Sequence, residues 1–195
     1  MLSRGGRGNP DVLLVEAGDR SVVVKDFGPR SAWVRRWFGP WLLRREVRAY
    51  RRLSGVASVP RWLGWLDRSA IVLEHRPGVP LSRSLAGRVS PDFLPRLEAV
   101  VEEMHRRGVV HLDLRHRSNV LADDEGQPVV LDFASALFFD PQRACGRLAV
   151  RLLGAIDRRA LAKWRARLGP PDSARSGQGV GSGSSAGSRG ASRAM

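Results

Sequence analysis

The chain has 195 residues, of which 43% are hydrophobic, and a formal net charge of +14 from 33 basic and 19 acidic side chains. This is enough apolar material for one core, so the composition excludes both a fully disordered chain and two large domains. A single cysteine, Cys145, excludes intramolecular disulfides and structural cysteine-zinc sites and fits a reducing compartment.

The positive charge is unevenly distributed along the chain. Residues 28–68 hold ten arginines and two acids, whereas residues 69–141 hold eight arginines and eleven acids. Residues 142–169 are again strongly basic. A uniformly basic surface would favour nucleic acid, but this distribution predicts an acidic central site between two basic arms.

The first half of the chain predicts a hairpin followed by a helix. Residues 11–27 contain two runs rich in β-branched side chains around an Ala-Gly-Asp turn, with Lys25 late in the second strand. Apolar residues recur at intervals of three and four over residues 40–53, which predicts a helix whose only acid is Glu46.

Two more short strands and a break complete this half. The strands are predicted over residues 61–66 and 70–74. The two prolines and the glycine of residues 76–80 then predict a linker without regular structure. We therefore expect a small, mostly β lobe that ends near residue 76.

The second half predicts a mainly helical lobe. Ser90, followed by a proline, has the features of a helix N-cap, and Gly108 those of a C-cap, with an apolar helical face between them. Residues 147–168 predict another helix. Short apolar runs that end in acids, at 109–114 and 128–133, predict strands or strand-like turns.

These elements predict an α+β chain in four parts. We expect a flexible N-terminus over residues 1–10, a β-rich lobe over 11–76 and a reduced helical lobe over 77–169. Residues 170–195 consist mostly of Gly, Ser, Ala and Arg and predict a disordered tail. Residues 1–19 lack the apolar core of a signal peptide, so we expect a cytoplasmic protein.

Four polar features follow one another in a fixed order: Lys25, Glu46, HLDLRHRSNVL at 111–121 and LDFA at 131–134. Each alone has an ordinary structural explanation, such as a solvated lysine or a capping aspartate. Together they supply what phosphoryl transfer needs: a cation on the phosphates, an acid that holds it, metal ligands and a base. Because 31 of the 33 basic residues are arginine, a lysine at position 25 strengthens this interpretation.

On these motifs, residues 11–140 resemble the protein-kinase-like superfamily. VVVKDF is similar to its strand-lysine motif, RREVRAY to its helix-glutamate motif, GVVHLDLRHRSNVL to its catalytic loop and VVLDFASA to its metal-binding DFG element. The short length and the HxDL form are most similar to the RIO-type and lipopolysaccharide-kinase-type branches. The resemblance implies a bilobal fold with a small β-rich lobe, one helix within it, and a reduced helical lobe.

The resemblance also implies roles for the residues of the two acidic motifs. It implies that Asp113 orients or deprotonates the acceptor hydroxyl and that Arg115 lies near the transferred phosphate. It further implies that Asn119 and Asp132 hold Mg²⁺. Five residues separate Asp113 from Asn119 where the family has four, so the loop contains an insertion.

The nucleotide site implied by the resemblance lies in the β-rich lobe. Lys25, paired with Glu46, would hold the phosphates of ATP, and the backbone of residues 74–76, beginning at Glu74, would contact the adenine. Gly5, Gly6 and Gly8 could form a degenerate phosphate loop, although a flexible terminus is the favoured interpretation.

The implied activity is the Mg²⁺-dependent transfer of the ATP γ-phosphate to an acceptor hydroxyl. A serine or threonine of a protein is the first acceptor considered, and a saccharide or lipid-linked acceptor is the alternative. A pseudokinase that binds nucleotide without turnover is the non-enzymatic alternative, because of the inserted loop residue. A basic adaptor associated with RNA is a third, weaker hypothesis.

Tryptophan and arginine alternate over residues 30–45. Trp33, Trp37 and Trp41 are spaced by four among five arginines, which suits an anionic membrane surface or a phosphorylated glycan or lipid. The favoured interpretation is that the indoles pack beneath a lobe with arginine stems over them, and Gly39 with Pro40 is expected to interrupt the spacing. A membrane-facing role would place the protein at the inner face of the membrane.

Overall fold

The computed structural model describes residues 2–18 and 20–168, so the tail over 170–195 lies outside the described residues. A β-rich N-terminal region is followed by a mainly helical part, an α+β architecture compatible with the bilobal kinase-like fold. The elements in chain order are β1 Asp11–Ala17, β2 Arg20–Asp26, α1 Gly39–Arg52, β3 Trp62–Asp67, β4 Ala70–Glu74, β5 Val79–Pro80, α2 Phe93–Arg106, β6 Val109–Val110, β7 Val120–Ala122, β8 Pro128–Val130, β9 Leu137–Phe138 and α3 Ala144–Leu168.

The N-terminal sheet places Lys25 in one of its central strands. Its four antiparallel strands are ordered β1-β2-β4-β3, so β2 is hydrogen-bonded on both sides. Lys25 pairs with Val12 of β1 and with Ile71 of β4. A strand held along both edges fixes the backbone from which the lysine side chain extends.

Helix α1 presents an apolar face to the core. Leu43, Val47 and Tyr50 are buried at four- and three-residue spacing, and Glu46 is buried among them. The hydrophobic contacts of its neighbours thus place the carboxylate of Glu46 inside the protein.

The expected interruption at Gly39 and Pro40 is wrong. A π-helical turn over Val34–Phe38 continues directly into α1, and Phe38 and Gly39 both have right-handed helical backbone angles. Pro40 is tolerated because it lies in the first turn, where its missing N–H is not needed. A Cβ atom at Gly39 would lie 2.6 Å from the ring of Phe27, so glycine permits this close packing.

The helices of the C-terminal part differ slightly from expectation at their beginnings. Helix α2 begins at Phe93. A turn precedes it, in which the amide of Phe93 donates a hydrogen bond to the carbonyl of Ser90. It ends before Gly108, whose φ of +71° fits the predicted C-cap. Helix α3 begins at Ala144, three residues before the predicted start.

One apolar cluster joins the sheet to the helices. It includes Phe27 of the N-terminal region, Phe93 and Trp164 of the C-terminal part, and Phe133. The rings of Phe133 and Tyr50 meet edge to face with centroids 5.2 Å apart. This contact packs the segment that follows Asp132 against α1, where the polar residues converge.

Candidate active site

Three charged side chains from distant parts of the chain meet at Lys25. Its Nζ lies 2.6 Å from Oε1 of Glu46 on α1 and 3.1 Å from Oδ1 of Asp132, which follows β8. The side chains of Lys25 and Glu46 are 10% and 2% exposed, whereas that of Asp132 is 47% exposed. The group is therefore closed on the side of Glu46 and open on the side of Asp132.

The neighbouring charges favour the ionised forms of Lys25 and Asp132. Burial alone would lower the pKa of Lys25, but the carboxylates of Glu46 and Asp132 outweigh it and hold that pKa above its usual value. The neighbouring ammonium in turn lowers the pKa of Asp132, against the effect of burial. The hydroxyl of Tyr50 donates a 3.2 Å hydrogen bond to Glu46. Lys25 is thus a fixed cation with Asp132 ionised beside it.

The loop after β6 brings Asn119 back against Asp113. Nδ2 of Asn119 donates to the backbone carbonyl of Asp113 at 2.9 Å and to its Oδ2 at 3.0 Å. The residues between them form two successive turns, in which His116 N donates to Asp113 O and Asn119 N donates to His116 O. These turns bring the side chains of Asp113 and Asn119 within hydrogen-bond distance.

A carboxylate that sequence reasoning missed anchors this loop. Asp157 of α3 is completely buried and accepts hydrogen bonds from the amides of His111 at 2.9 Å and Leu112 at 2.8 Å. Its Oδ2 also lies 2.9 Å from Nε2 of His105. Leu112 has a φ of +69°, an uncommon backbone conformation that the Asp157 bond helps to hold.

The signal for Asp157 was present in the helical pattern of α3. Asp157 lies on the same buried face as Leu161, Trp164 and Leu168, at spacings of three and four. An acid on the apolar face of a helix must find hydrogen-bond donors inside the protein. That reasoning, applied to α3, would have singled it out.

His111 connects the two acidic motifs. Its Nε2 lies 2.9 Å from the carbonyl of Leu131, and its Nδ1 lies 3.3 Å from the amide of Asp113. Since a carbonyl needs a donor and an amide needs an acceptor, the ring is the neutral Nε2–H tautomer. Burial lowers the pKa of His111, which favours this neutral form.

Two more side chains tie these segments to the helices. Nε1 of Trp164 on α3 donates a 2.9 Å hydrogen bond to the carbonyl of Leu114. Arg45 on α1 donates to the carbonyl of Ala136 from Nε at 3.0 Å and from a terminal nitrogen at 2.9 Å. The two motifs are therefore held from both sides of the site.

Two of the predicted site residues lie apart from the Lys25 group. Arg115 is exposed, and none of the side-chain hydrogen bonds found among the described residues involves it. The carboxylate of Glu74, at the end of β4, accepts bonds from the amide and Nε of Arg61 at 3.0 and 3.3 Å. The carboxylate of Glu74 is thus engaged by Arg61, and the contact of residues 74–76 with adenine stays a prediction.

The N-terminal glycines form a tight turn between two paired segments. The amides of Leu2 and Ser3 bond to the carbonyl of Val12, and the amide of Gly5 donates to Oδ1 of Asp11 at 2.8 Å. A Cβ atom at Gly5 would lie 2.3 Å from two backbone carbonyls, so the turn requires glycine there. The flexibility expected of residues 1–10 stays a prediction.

The indoles of the first basic arm lie on the surface rather than beneath a lobe. Trp33 and Trp37 are each 65% exposed and Trp41 is 52% exposed. Trp33 stacks on Phe38, whose ring is also 6.0 Å from that of Trp41. The segment therefore presents a row of aromatic rings to solvent.

The oxygen atoms near Lys25 and Asp113 have the chemistry that Mg²⁺ prefers. Among the described residues, no group of three or more His, Cys, Asp or Glu side chains could hold a metal alone. Asn119 and Asp132 offer an amide oxygen and a carboxylate, and Mg²⁺ is commonly held by one or two such groups together with water and substrate phosphates. The residues present thus fit a metal that arrives with a nucleotide.

Comparisons with known proteins show partial similarity to kinases. No known protein-family profile matches the chain. Over 158 residues the chain is 32% identical to CBL-interacting protein kinase 4 of Oryza sativa subsp. japonica. The aligned region covers 76% of this chain and 34% of the relative. Over 113 residues it is 34% identical to CBL-interacting protein kinase 16 of the same plant, covering 54% of this chain and 25% of the relative.

A third relative comes from a bacterium. Over 150 residues the chain is 35% identical to the probable SapB synthase of Streptomyces coelicolor, covering 65% of this chain and 16% of the relative. The chain therefore spans between about a sixth and a third of the length of the curated relatives it matches. These similarities indicate a protein-kinase-like relationship.

Proposed function

We propose that the chain is an ATP- and Mg²⁺-dependent phosphotransferase of the atypical serine/threonine-kinase type. The observation that carries the proposal is the position of Lys25, whose ammonium bridges a buried glutamate and a half-exposed aspartate 107 residues away. A fixed cation beside an accessible carboxylate suits the phosphates and the metal of a nucleotide.

Each residue of the proposed site has one task. Lys25, held by Glu46, binds the nucleotide phosphates, and two of its three N–H donors are used among the described residues. Asp113 accepts the proton of the acceptor hydroxyl, and its Oδ2 is oriented for this by Asn119. Asn119 and Asp132 would hold Mg²⁺, which would supply positive charge beside the phosphates.

We propose two further contacts to the nucleotide at the edges of this site. The turn that contains Gly5 lies between Ser3 and Val12, and Val12 pairs with Lys25, so the turn belongs to the sheet beside the lysine. Its glycines would cover the phosphates. Arg115, exposed two residues after Asp113, would contact the transferred phosphate.

The acceptor is proposed to be a protein serine or threonine, with a saccharide or lipid-linked acceptor as the second candidate. The exposed indoles at Trp33, Trp37 and Trp41 favour the second, since indoles beside arginines suit an anionic interface. No helix in the described part of the chain is long and apolar enough to cross a bilayer. We propose that the protein is cytoplasmic and peripheral at the inner face of the membrane. Within the protein-kinase-like superfamily, we propose that it is most similar to the RIO-type and lipopolysaccharide-kinase-type branches.

Flotation with anionic vesicles tests the membrane contact. Arg35→Ala combined with Trp37→Ala should reduce co-flotation with vesicles rich in phosphatidylglycerol, because it removes one cation and one indole from the surface. Arg159→Ala combined with Leu152→Ala, on exposed positions of α3, is the matched control. Unchanged flotation of the first variant would remove the membrane from the proposal.

Turnover tests the phosphotransferase itself. ADP release and ATP·Mg²⁺ binding are measured for the wild type, Asp113→Asn and Asp132→Asn, with Asp124→Asn at an exposed position as the control. We expect Asp113→Asn to lose turnover while it retains binding, and Asp132→Asn to lose both. ATP·Mg²⁺ binding with no turnover in the wild type would instead favour the pseudokinase alternative, a nucleotide-binding scaffold.

A further inference from the structure

The C-terminal half of α1 forms one wall of a cleft of about 690 Å³, and its lining residues include none of the Lys25 group. The other wall is the end of β3 and the turn that follows it. Val47 and Trp65 supply apolar surface to the cleft. The remaining lining side chains are charged: Arg44, Arg48, Arg51, Arg68 and Asp67.

The charge of this cleft is unbalanced. Within residues 2–18 and 20–168, no carboxylate forms an ion pair with any of its four arginines, all of which are exposed. The single acid, Asp67, uses its Oδ1 to accept bonds from the amide and hydroxyl of Ser69 at 2.6 and 2.9 Å. The cleft therefore offers four guanidinium groups against one carboxylate, and none of the four is paired with it.

Two of the guanidinium groups are already positioned by aromatic rings. Arg51 lies over the ring of Trp62 at 4.4 Å, and Arg48 lies over the ring of Phe138 at 4.8 Å. A guanidinium stacked on a ring keeps its N–H groups free at the edge of its plane. These arginines would lose little conformational entropy on binding an anion.

We propose that this cleft is a docking site for an acidic peptide segment with an apolar anchor residue. Its carboxylates would pair with Arg44, Arg48 and Arg51, and its apolar side chain would pack on Trp65 and Val47. From Arg44 to Arg51 the helix rises about 10 Å, which is close to the span of three residues of an extended chain. Charge complementarity and the apolar surface within the cleft identify the occupant.

The geometry favours a peptide over the other polyanions. A bilayer is flat, whereas this surface is a cleft between a helix and a strand turn. A single-stranded nucleic acid binds by stacking successive bases on several aromatic rings, whereas this cleft is lined by a single aromatic side chain, Trp65. An extended peptide can place alternate side chains into such a cleft.

Fluorescence anisotropy with a defined peptide tests the site. The probe is a short fluorescein-labelled peptide of glutamates around one phenylalanine, and the same peptide with lysines is the negative control. The tested variant is Arg44→Gln/Arg48→Gln/Arg51→Gln. The matched control, Arg88→Gln/Arg151→Gln/Arg159→Gln, removes three exposed arginines elsewhere. No nucleotide is added, so the result does not depend on the proposed phosphotransferase activity.

We expect the cleft variant to bind the acidic peptide at least about tenfold more weakly and the control variant to bind it as the wild type does. If the triple variant does not fold, Arg44→Gln/Arg68→Gln replaces it, because this variant keeps both ring-stacked arginines. We expect it to bind the acidic peptide more weakly than the wild type does. Equal losses in cleft and control variants would overturn the proposal. It would also be overturned if the cleft variant lost affinity for single-stranded RNA or for phosphatidylglycerol vesicles by a larger factor than it lost affinity for the peptide.

Discussion

The β-rich region and the helical part position their residues of the candidate site by different interactions. In the β-rich region, Lys25 and Glu46 are fixed by a short ion pair between two side chains that are almost completely buried. In the helical part, the loop that carries Asp113 is fixed through its backbone, with its amides bound to Asp157. His111 links that loop to the carbonyl just before Asp132, and Asp132 reaches Lys25.

Because of this difference, mutations should destabilise the two regions in different ways. An ion pair is broken by loss of either partner, and the damage is largest when the remaining charge is buried. A backbone anchor is a single carboxylate that satisfies several donors, so its loss leaves all of them unpaired. Loss of the Asp157 carboxylate should therefore lower the stability most, although Asp157 has no proposed contact with a substrate.

Loss of the anchor is the largest expected effect. Asp157→Ala should lower the free energy of unfolding by about 4 kcal/mol, because one buried and one partly buried amide lose their acceptor at a cost of about 1–3 kcal/mol each, and His105 loses its partner as well. Urea denaturation measures it, with the exposed Asp124→Ala as control. A change below about 1 kcal/mol in Asp157→Ala would show that the loop does not depend on this carboxylate.

Breaking the ion pair should have the next largest effect. Lys25→Met should cost about 3 kcal/mol of unfolding free energy, since Glu46 would remain buried without its counter-charge. Lys25→Met combined with Glu46→Gln should recover part of this loss, because the unpaired buried carboxylate is gone. A double-mutant cycle from urea denaturation gives the coupling. Purely additive losses would contradict a direct interaction.

The neutral histidine between the motifs predicts a pH dependence. The unfolded chain protonates His111 near its ordinary pKa of 6.5, whereas burial lowers the pKa in the folded protein, so acid favours unfolding. Below about pH 6.5 the wild type should lose up to about 1.4 kcal/mol per pH unit from this group. His111→Gln should show a smaller slope in thermal unfolding across pH 7.5 to 5.5. Identical slopes would contradict the neutral assignment.

Removal of the hydrogen bond from α3 to Leu114 should have the smallest effect on stability. Trp164→Phe keeps an aromatic ring in the core but removes the indole N–H, so we expect a loss of about 1 kcal/mol. Trp41→Phe, at an exposed indole, should change stability by less than half of that amount. Thermal unfolding of both variants makes the comparison, and equal shifts would contradict a specific role for Trp164.

Local patterns predicted most of the elements because each carried its own signal. The β-branched runs at residues 11–27 form the hairpin β1-β2, and the apolar spacing over residues 40–53 forms α1 with Glu46 facing inward. The ends of helices were less predictable. Ser90 resembles an N-cap, but a turn precedes Phe93 and delays the start of α2.

The candidate site was only partly predictable, since contacts across the chain do not follow from local pattern. The order of motifs pointed to Lys25, Glu46 and Asp132, which the structure brings together. The pattern of α3 marks Asp157 as a buried acid, but it could not identify its partners, two amides some 45 residues away. The roles assigned to all of these residues stay proposals.

Binding of ATP·Mg²⁺ to a pair of lysine variants tests the central claim most directly. The chain contains two lysines, Lys25 in the buried ion pair and Lys163 exposed on α3, so each substitution removes the same chemical group. Isothermal titration should show that Lys163→Ala binds ATP·Mg²⁺ like the wild type, whereas Lys25→Ala binds at least about tenfold more weakly. Equal affinities of Lys25→Ala and the wild type would contradict a nucleotide phosphate site at Lys25.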